Sequence, residues 1–180
     1  GAMAAELLAE LERHGALPAE YWILDLSADL RERQRATLEQ AVPHLLPRVQ
    51  WLDSLPDEPF VGMILANEVL DALTIERFAI RGGEVNALGV SSEFGRLQLA
   101  EVRAASRLVA AVRRIEADTG SALPDGYESE VCTDLAAWFE SIAYSLERGV
   151  LLFIDYGLPR REYYSAERTR GTLLCHFRHR

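Results

Sequence analysis

The chain has 180 residues, of which 49% are apolar and 26% are charged, a composition typical of a globular domain with its own core. Its formal net charge of −9 argues against a nucleic-acid backbone as the main partner, because phosphate binding needs a positive surface. A basic protein partner stays compatible with that charge. No apolar run approaches the roughly 20 residues of a membrane span.

The cysteines and the two ends of the chain set further expectations. Cys132 and Cys175 are too few for a disulfide framework, so we expect a reducing, cytoplasmic compartment. His176 and His179 lie near Cys175, but their spacing matches no common zinc pattern, and we predict no metal site.

The sequence starts with GAM, either native or a cloning remnant, and stops at LLCHFRHR without a closing element. We therefore expect a fragment truncated at both ends.

The first third of the sequence predicts alternating helices and strands. Apolar residues recur at helical spacing or in short runs, Ser27 suits the start of the second helix, and prolines bracket the connections. The predicted order is a helix over 4–13, a strand over 21–26, a helix over 28–40, and strands over 48–52 and 60–66. This order is typical of a doubly wound α/β sheet with parallel strands.

The rest of the sequence changes that rhythm. Strands are predicted over 75–80, 84–90 and 95–102, and the loop RGG favours a hairpin between the first two, so an antiparallel insertion is expected at about 75–103. A helix over 105–117 follows. A second helix over 132–149, capped by Thr133 and ended by Gly149, then precedes a buried strand ending at Asp155 and Tyr156. We predict one domain over 1–180.

Polar side chains follow each of the four strands that are predicted to be parallel. Ligands of open α/β sheets bind at the carboxyl ends of the strands, so these residues form the candidate site. Any one of them is ordinarily a helix cap or turn residue, but four strands that end in this way favour a ligand site. The residues are Asp25, Asp53, Asn67, Glu68, Asp155 and Tyr156.

Asp25 has the most specific interpretation of this set. An acid after the second strand of a nucleotide-binding unit accepts hydrogen bonds from ribose hydroxyls and lies about 20 residues past a glycine loop. Gly1 precedes Asp25 by 24 positions, so it could be the tail of such a loop. The alternative is that Asp25 only caps the next helix. No nucleophile elbow or Walker lysine occurs to support acyl or phosphoryl transfer.

Several stretches together resemble the MidA family of S-adenosylmethionine-dependent methyltransferases, which is related to a mitochondrial assembly factor for respiratory complex I. The stretches are LDLSADLRERQRATL, ANEVLDAL, FIDYG and EYYSAERTRGTLLCHFRHR, and the resemblance covers about 4–180. It implies a Rossmann-like class I methyltransferase fold, S-adenosylmethionine as cofactor, and arginine on a complex I subunit as the methyl acceptor. It also implies a mitochondrial matrix location if the protein is eukaryotic.

The resemblance further implies a role for each matching position. The cofactor-binding positions would be Gly1, Asp25, Leu26, Leu52, Asp53, Asn67 and Glu68, the last two beside the methionine part. Glu68 and Asp71 would be catalytic, whereas Asp155, Tyr156 and Gly157 would border the substrate entrance. We expect two departures from the family pattern: the glycine-rich cofactor loop, for which Gly1 is the one candidate residue, and the portion that would follow HFRHR are both expected to lie outside this sequence.

The chemistry of the acids agrees with this resemblance. Guanidinium is a poor nucleophile until carboxylates orient it, and Glu68 and Asp71 would share one face if the segment after Ala66 were helical. Alternatively, Glu68 only favours a helix N-terminus through its charge. Two other functions stay open: a non-catalytic assembly factor with this fold, and an NAD-dependent oxidoreductase. The segment YGLPRREYYSAERTRG is either a surface loop or a substrate-contacting lid.

Overall fold

The computed structural model describes residues 1–174, which divide into two compact units. The first unit comprises Gly1–Val61 with Tyr144–Arg148, and the second comprises Gly62–Ala143 with the chain from Gly149 onward. Each unit has its own buried apolar cluster.

The first unit has the predicted alternation of helices and strands. Its elements are α1 (Ala2–Arg13), β1 (Tyr21–Leu24), α2 (Ala28–Ala41), a 3-10 helix (Pro43–Arg48) and β2 (Val49–Leu52). The two strands pair in parallel, with Tyr21 opposite Val49 and Leu24 opposite Leu52. The predicted boundaries of these elements are confirmed to within about two residues.

Helical periodicity explains why the two helices of this unit pack together. Leu8 of α1 and Leu38 of α2 are completely buried, and each such side chain contributes roughly 1.5–3 kcal/mol by leaving water. Ser27 begins α2 as predicted: its hydroxyl accepts the Leu30 N–H at 3.3 Å, which satisfies one of the free amide groups of the first turn.

The second unit is dominated by an antiparallel sheet. Four strands lie in the order β6-β5-β4-β7, with β4 as Glu76–Arg81, β5 as Glu84–Glu93, β6 as Arg96–Arg103 and β7 as Glu128–Val131. Helix α3 (Ser106–Thr119) buries Leu108, Val112 and Ile115 at the predicted helical spacing. The predicted antiparallel insertion is therefore present, but β7 extends it beyond the expected limit at 103.

Strands β3 (Phe60–Asn67) and β8 (Leu146–Ile154) form a separate pair that carries the second group of candidate residues. The Phe60 N–H donates to the Ser145 carbonyl at 3.0 Å, and the Glu68 N–H donates to the Ile154 carbonyl at 2.8 Å. The residue number therefore rises along both strands from the first contact to the second, which means that the strands run in parallel.

The predicted helix over 132–149 is wrong at both ends. Helix α4 covers only Leu135–Tyr144, and residues 146–149 belong to β8 instead. Pairing with β3 outweighs the helical propensity of this segment, since it satisfies the backbone groups of both strands. Thr133 is not a cap, because its hydroxyl donates to the Glu76 carboxylate at 2.8 Å.

Gly149 has a role in the strand that differs from the predicted helix stop. A Cβ at this position would collide with the carbonyl of Gly62, so glycine at position 149 permits a close approach of the two backbones. The remaining elements of the described chain are a short 3-10 turn over Leu70–Ala72 and α5 (Arg160–Tyr163).

Candidate functional site

The first candidate cluster lies at the carboxyl ends of β1 and β2, in the first unit. Asp25 is half-buried, and its two carboxylate oxygens accept from the Ser27 N–H at 2.9 Å and from the Gln34 amide at 2.7 Å. Asp25 therefore does help to start the helix. Because a carboxylate oxygen can accept more than one hydrogen bond, each oxygen can still receive a hydroxyl donor.

Arg31 joins the ends of the two strands, and sequence reasoning missed it. Its guanidinium donates to the backbone carbonyls of Asp25 and Leu52 and pairs with the Asp53 carboxylate at 2.7 Å. In the sequence this arginine belongs to RERQR and reads as part of a solvated helix face. The Asp53 side chain is 92% exposed, so its contribution is to hold Arg31 from the solvent side.

Gln34 fixes the orientation of Asp25 from the next turn of α2. The Trp51 indole N–H donates to the Gln34 amide oxygen at 2.9 Å, so the amide nitrogen faces the Asp25 carboxylate. Gly1 packs on the same stretch: a Cβ added to it would lie 2.9 Å from the Gln34 Cα and the Thr37 Cβ. A side chain at this position would therefore crowd the backbone of α2, so the close approach favours glycine.

Leu26 adds an uncovered apolar group beside Asp25. It is 85% exposed, whereas Leu52 at the end of β2 is half-buried. The first cluster thus combines a partly buried carboxylate with hydrogen-bonding capacity and apolar side chains next to it, which together suit a ribose and a flat heterocycle.

The second candidate cluster lies at the carboxyl ends of β3 and β8, in the second unit. Asn67, Glu68 and Asp71 are all exposed. Glu68 has φ +50°, a left-handed backbone conformation, and the 3-10 turn starts only at Leu70. The helix that would have put Glu68 and Asp71 on one face is therefore not formed.

Asp155 and Tyr156 instead contact the turn that follows Glu68 and contains Asp71. The Asp155 carboxylate accepts the Leu70 N–H at 3.0 Å and the Tyr156 N–H at 2.9 Å, and the Tyr156 hydroxyl donates to the Asp71 carboxylate at 2.8 Å. The hydrogen bond to Asp71 raises the pKa of Tyr156, with further increases from the negative charges of Asp71, Asp155 and Glu68. Gly157 follows as an exposed residue.

A third polar group lies on β7, where sequence reasoning had no expectation. Glu130 is only 4% exposed, and one of its carboxylate oxygens accepts from the Tyr163 hydroxyl at 2.6 Å and from both the N–H and the hydroxyl of Thr172 at 2.7 Å. The Tyr164 hydroxyl donates to the Glu130 carbonyl at 3.0 Å. These contacts hold the segment that was expected to be a loop or lid against the edge of the antiparallel sheet.

This arrangement makes stability sensitive to alkaline pH. Burial, and next the hydrogen bond to Glu130, raise the pKa of Tyr163 to about 12 from an ordinary value of 10. Between these pH values the unfolded chain loses this proton first, so the free energy of unfolding falls as pH rises from about 10 towards 12. Denaturant titrations at several pH values should show this fall, and Tyr163→Phe should reduce its slope. An unchanged slope in that variant would contradict the assignment.

Metal and membrane features can be stated for the described part of the chain. Within residues 1–174, no group of three or more His, Cys, Asp or Glu side chains is arranged to hold a metal ion. Cys175, His176 and His179 lie outside the described residues. Over the same range, none of the helices has the length and apolar character needed to cross a bilayer.

The parallel strand pairs, the helices of the first unit and the antiparallel insertion define an α/β protein with the Rossmann-like class I methyltransferase fold. The comparison with known families agrees over the whole length. Residues 1–180 match the family described as "Putative S-adenosyl-L-methionine-dependent methyltransferase", and the chain belongs to this family.

Two solved structures from Burkholderia thailandensis are similar to the chain. One is a protein bound to S-adenosyl-homocysteine, at 40% identity and a TM-score of 0.87, covering 98% of this chain and 44% of that one. The other is the native crystal structure of a protein of the same superfamily, at 40% identity and a TM-score of 0.88, covering 98% and 46%. The chain thus spans less than half the length of these two relatives. None of the curated proteins compared matches it.

Proposed function

We propose that the protein uses S-adenosylmethionine to methylate arginine on a protein partner, of the kind represented by a complex I subunit, as in the MidA family. The observation that carries the cofactor part is the relative bound to S-adenosyl-homocysteine, which is 40% identical over nearly all of this chain. The acceptor part rests on the resemblance and on the acidic side chains after β3. A cytoplasmic location completes the proposal.

The residues of the first cluster fit the adenosine part of the cofactor. The Asp25 carboxylate is held by Ser27 and Gln34 and keeps acceptor capacity for the two ribose hydroxyls. Leu26 and Leu52 offer apolar surface to the adenine. The tight packing of Gly1 supports its role at the end of the cofactor loop.

Arg31 and Asp53 would act mainly by holding this arrangement. Arg31 is bonded to the ends of both β1 and β2. It therefore keeps the end of β1, which carries Asp25, at a constant separation from Leu52 at the end of β2. In this proposal Asp53 stays near the adenine but contributes chiefly through its ion pair with Arg31.

The second cluster supplies the groups that a cationic acceptor needs. The cofactor, when bound, provides a methyl group on a positively charged sulfur, which is electrophilic. Glu68 and Asp71 bind the acceptor guanidinium through charge-assisted hydrogen bonds and orient one nitrogen. Tyr156 and Gly157 would border the substrate entrance.

Ligand-dependent stabilisation of the complete protein tests the cofactor class. A ligand that binds only the folded state raises the unfolding temperature, so S-adenosylmethionine and S-adenosyl-homocysteine should each raise it, and NAD should not. Stabilisation by NAD alone would contradict the methyltransferase proposal and favour an oxidoreductase.

Mass spectrometry of proteins from a strain that lacks the gene should then identify the lost arginine methylation. A protein that binds the cofactor but causes no such loss would act as a non-catalytic assembly factor.

A further inference from the structure

The geometry at the end of β8 points to a function for Asp155 and Tyr156 beyond bordering an entrance: we propose that both are positioning residues that hold Glu68 and Asp71 ready for the acceptor cation. This inference rests on the proposed function, because it assigns Glu68 and Asp71 to acceptor binding. It changes the expected role of Asp155 from contact with the substrate to support of other side chains.

The Asp155 side chain is held by two hydrogen bonds from the backbone. Its side chain is half-buried, and its two oxygens accept backbone N–H groups from Leu70 and Tyr156 at 3.0 and 2.9 Å. Each oxygen keeps a second lone pair, as in Asp25, but these two backbone bonds fix the orientation of the carboxylate. Asp155 therefore connects the end of β8 to the turn after β3 and acts by holding that turn.

The backbone of Glu68 has a left-handed conformation, with φ +50°. A left-handed conformation is unfavourable for an L-residue that has a Cβ, so the surrounding structure has to impose it. Two contacts flank Glu68: its own N–H donates to the carbonyl of Ile154, the last residue of β8, at 2.8 Å, and the Leu70 N–H two residues later donates to Asp155. The backbone at Glu68 and just after it is thus held by Ile154 and Asp155.

The phenol of Tyr156 is hydrogen-bonded to Asp71. It donates to one oxygen of Asp71 at 2.8 Å, which leaves the other oxygen as the natural acceptor for a ligand. Because the Tyr156 N–H is itself bonded to Asp155, the phenol and the carboxylate are restrained together. A carboxylate that is already oriented loses less conformational entropy on binding a cation.

These contacts predict that variants of Tyr156 and Asp155 lose activity towards the acceptor without losing affinity for the cofactor. Positioning residues affect how productively the acceptor is bound, but not how tightly the cofactor is held in the first unit. Tyr156→Phe should therefore lower kcat/KM for the acceptor by about tenfold, the size expected for one hydrogen bond to a carboxylate, with the Kd for S-adenosyl-homocysteine unchanged within about twofold. Asp155→Ala should lower kcat/KM further, and Asp155→Asn, which keeps one acceptor oxygen, should recover part of the loss.

A spectroscopic measurement separates positioning from mere structural support. In the complete protein with ring-labelled tyrosine, NMR should show Tyr156 titrating above an ordinary tyrosine, and Asp71→Asn should lower its pKa while the protein stays folded. Asp155→Ala should lower it as well, because the phenol is then no longer restrained. Methylguanidinium, added as a probe for the arginine side chain, should shift the Tyr156 ring resonances in the wild type and much less in Asp71→Asn.

The outcomes distinguish this inference from the proposed function. A Tyr156 titration unaffected by Asp71→Asn and Asp155→Ala would overturn the positioning role, whatever the enzyme activity. Absence of a response to methylguanidinium would overturn the link between these residues and the acceptor. Failure of the proposed function would appear elsewhere, as a lack of stabilisation by S-adenosyl-homocysteine in the wild-type protein.

Discussion

Replacing Asp25 with alanine is expected to weaken binding of S-adenosyl-homocysteine by about a hundredfold. The carboxylate is proposed to accept both ribose hydroxyls, and hydrogen bonds to a charged group contribute roughly 1.5–3 kcal/mol each. A loss of about 3 kcal/mol corresponds to this change in Kd. Isothermal titration of the complete protein with S-adenosyl-homocysteine measures it directly.

The structural role of Asp25 requires two further variants. Asp25 also holds Ser27 and Gln34, so Asp25→Ala removes part of the start of α2 as well. Asp25→Asn keeps one acceptor but turns an amide towards Gln34, and it should still bind the ligand at least tenfold more weakly. Asp29→Ala, which removes an exposed acid paired with Arg33 on the same helix, should leave Kd unchanged. Equal Kd values for all three variants would remove Asp25 from the cofactor site.

Much of the first unit was predictable because its elements depend on local patterns. The apolar spacing of α1 and α2 and the short run YWIL need no information from distant residues. The hairpin between β4 and β5 follows equally from a glycine loop between two strand-like runs. The fold class was predicted correctly for this reason.

The errors lie where tertiary contacts decide the structure. Strand β7 reads ESEV and buries Ser129 and Glu130, so it lacks the apolar alternation that marks a strand. The segment after Tyr144 combines helical spacing with strand pairing, and the backbone contact to Phe60 settles the choice in favour of β8. Neither contact has a counterpart in local sequence.

The candidate site was predictable by position but not by arrangement. Placing Asp25, Glu68 and Asp155 at strand ends followed from the rhythm of strands and helices. That Arg31 would bridge two strand ends, or that Asp155 would hold a turn 85 positions away, depends on side-chain geometry that only the folded chain supplies. The positive φ of Glu68 also had no signal, since glycine or asparagine is the usual residue in that conformation.

Replacing Glu68 with glutamine is expected to lower the rate of methyl transfer by about a hundredfold or more, while S-adenosyl-homocysteine still stabilises the protein. Glutamine keeps the size of the side chain but removes the charge that orients the acceptor guanidinium, and loss of such a positioning or charge-stabilising group typically costs about 10²–10³ in rate. Single-turnover assays with the acceptor identified by mass spectrometry measure the chemical step separately from binding.

The backbone of Glu68 offers a sharper version of this experiment. Glu68→Gly also removes the carboxylate, but glycine adopts φ +50° without strain, so the turn should form at least as well as in the wild type. If the carboxylate is what the reaction needs, Glu68→Gly and Glu68→Gln should be equally inactive although only the first relieves strain. Glu140→Gln, on the exposed surface of α4, should keep full activity. An active Glu68→Gly protein would show that the turn, and not its carboxylate, serves the reaction.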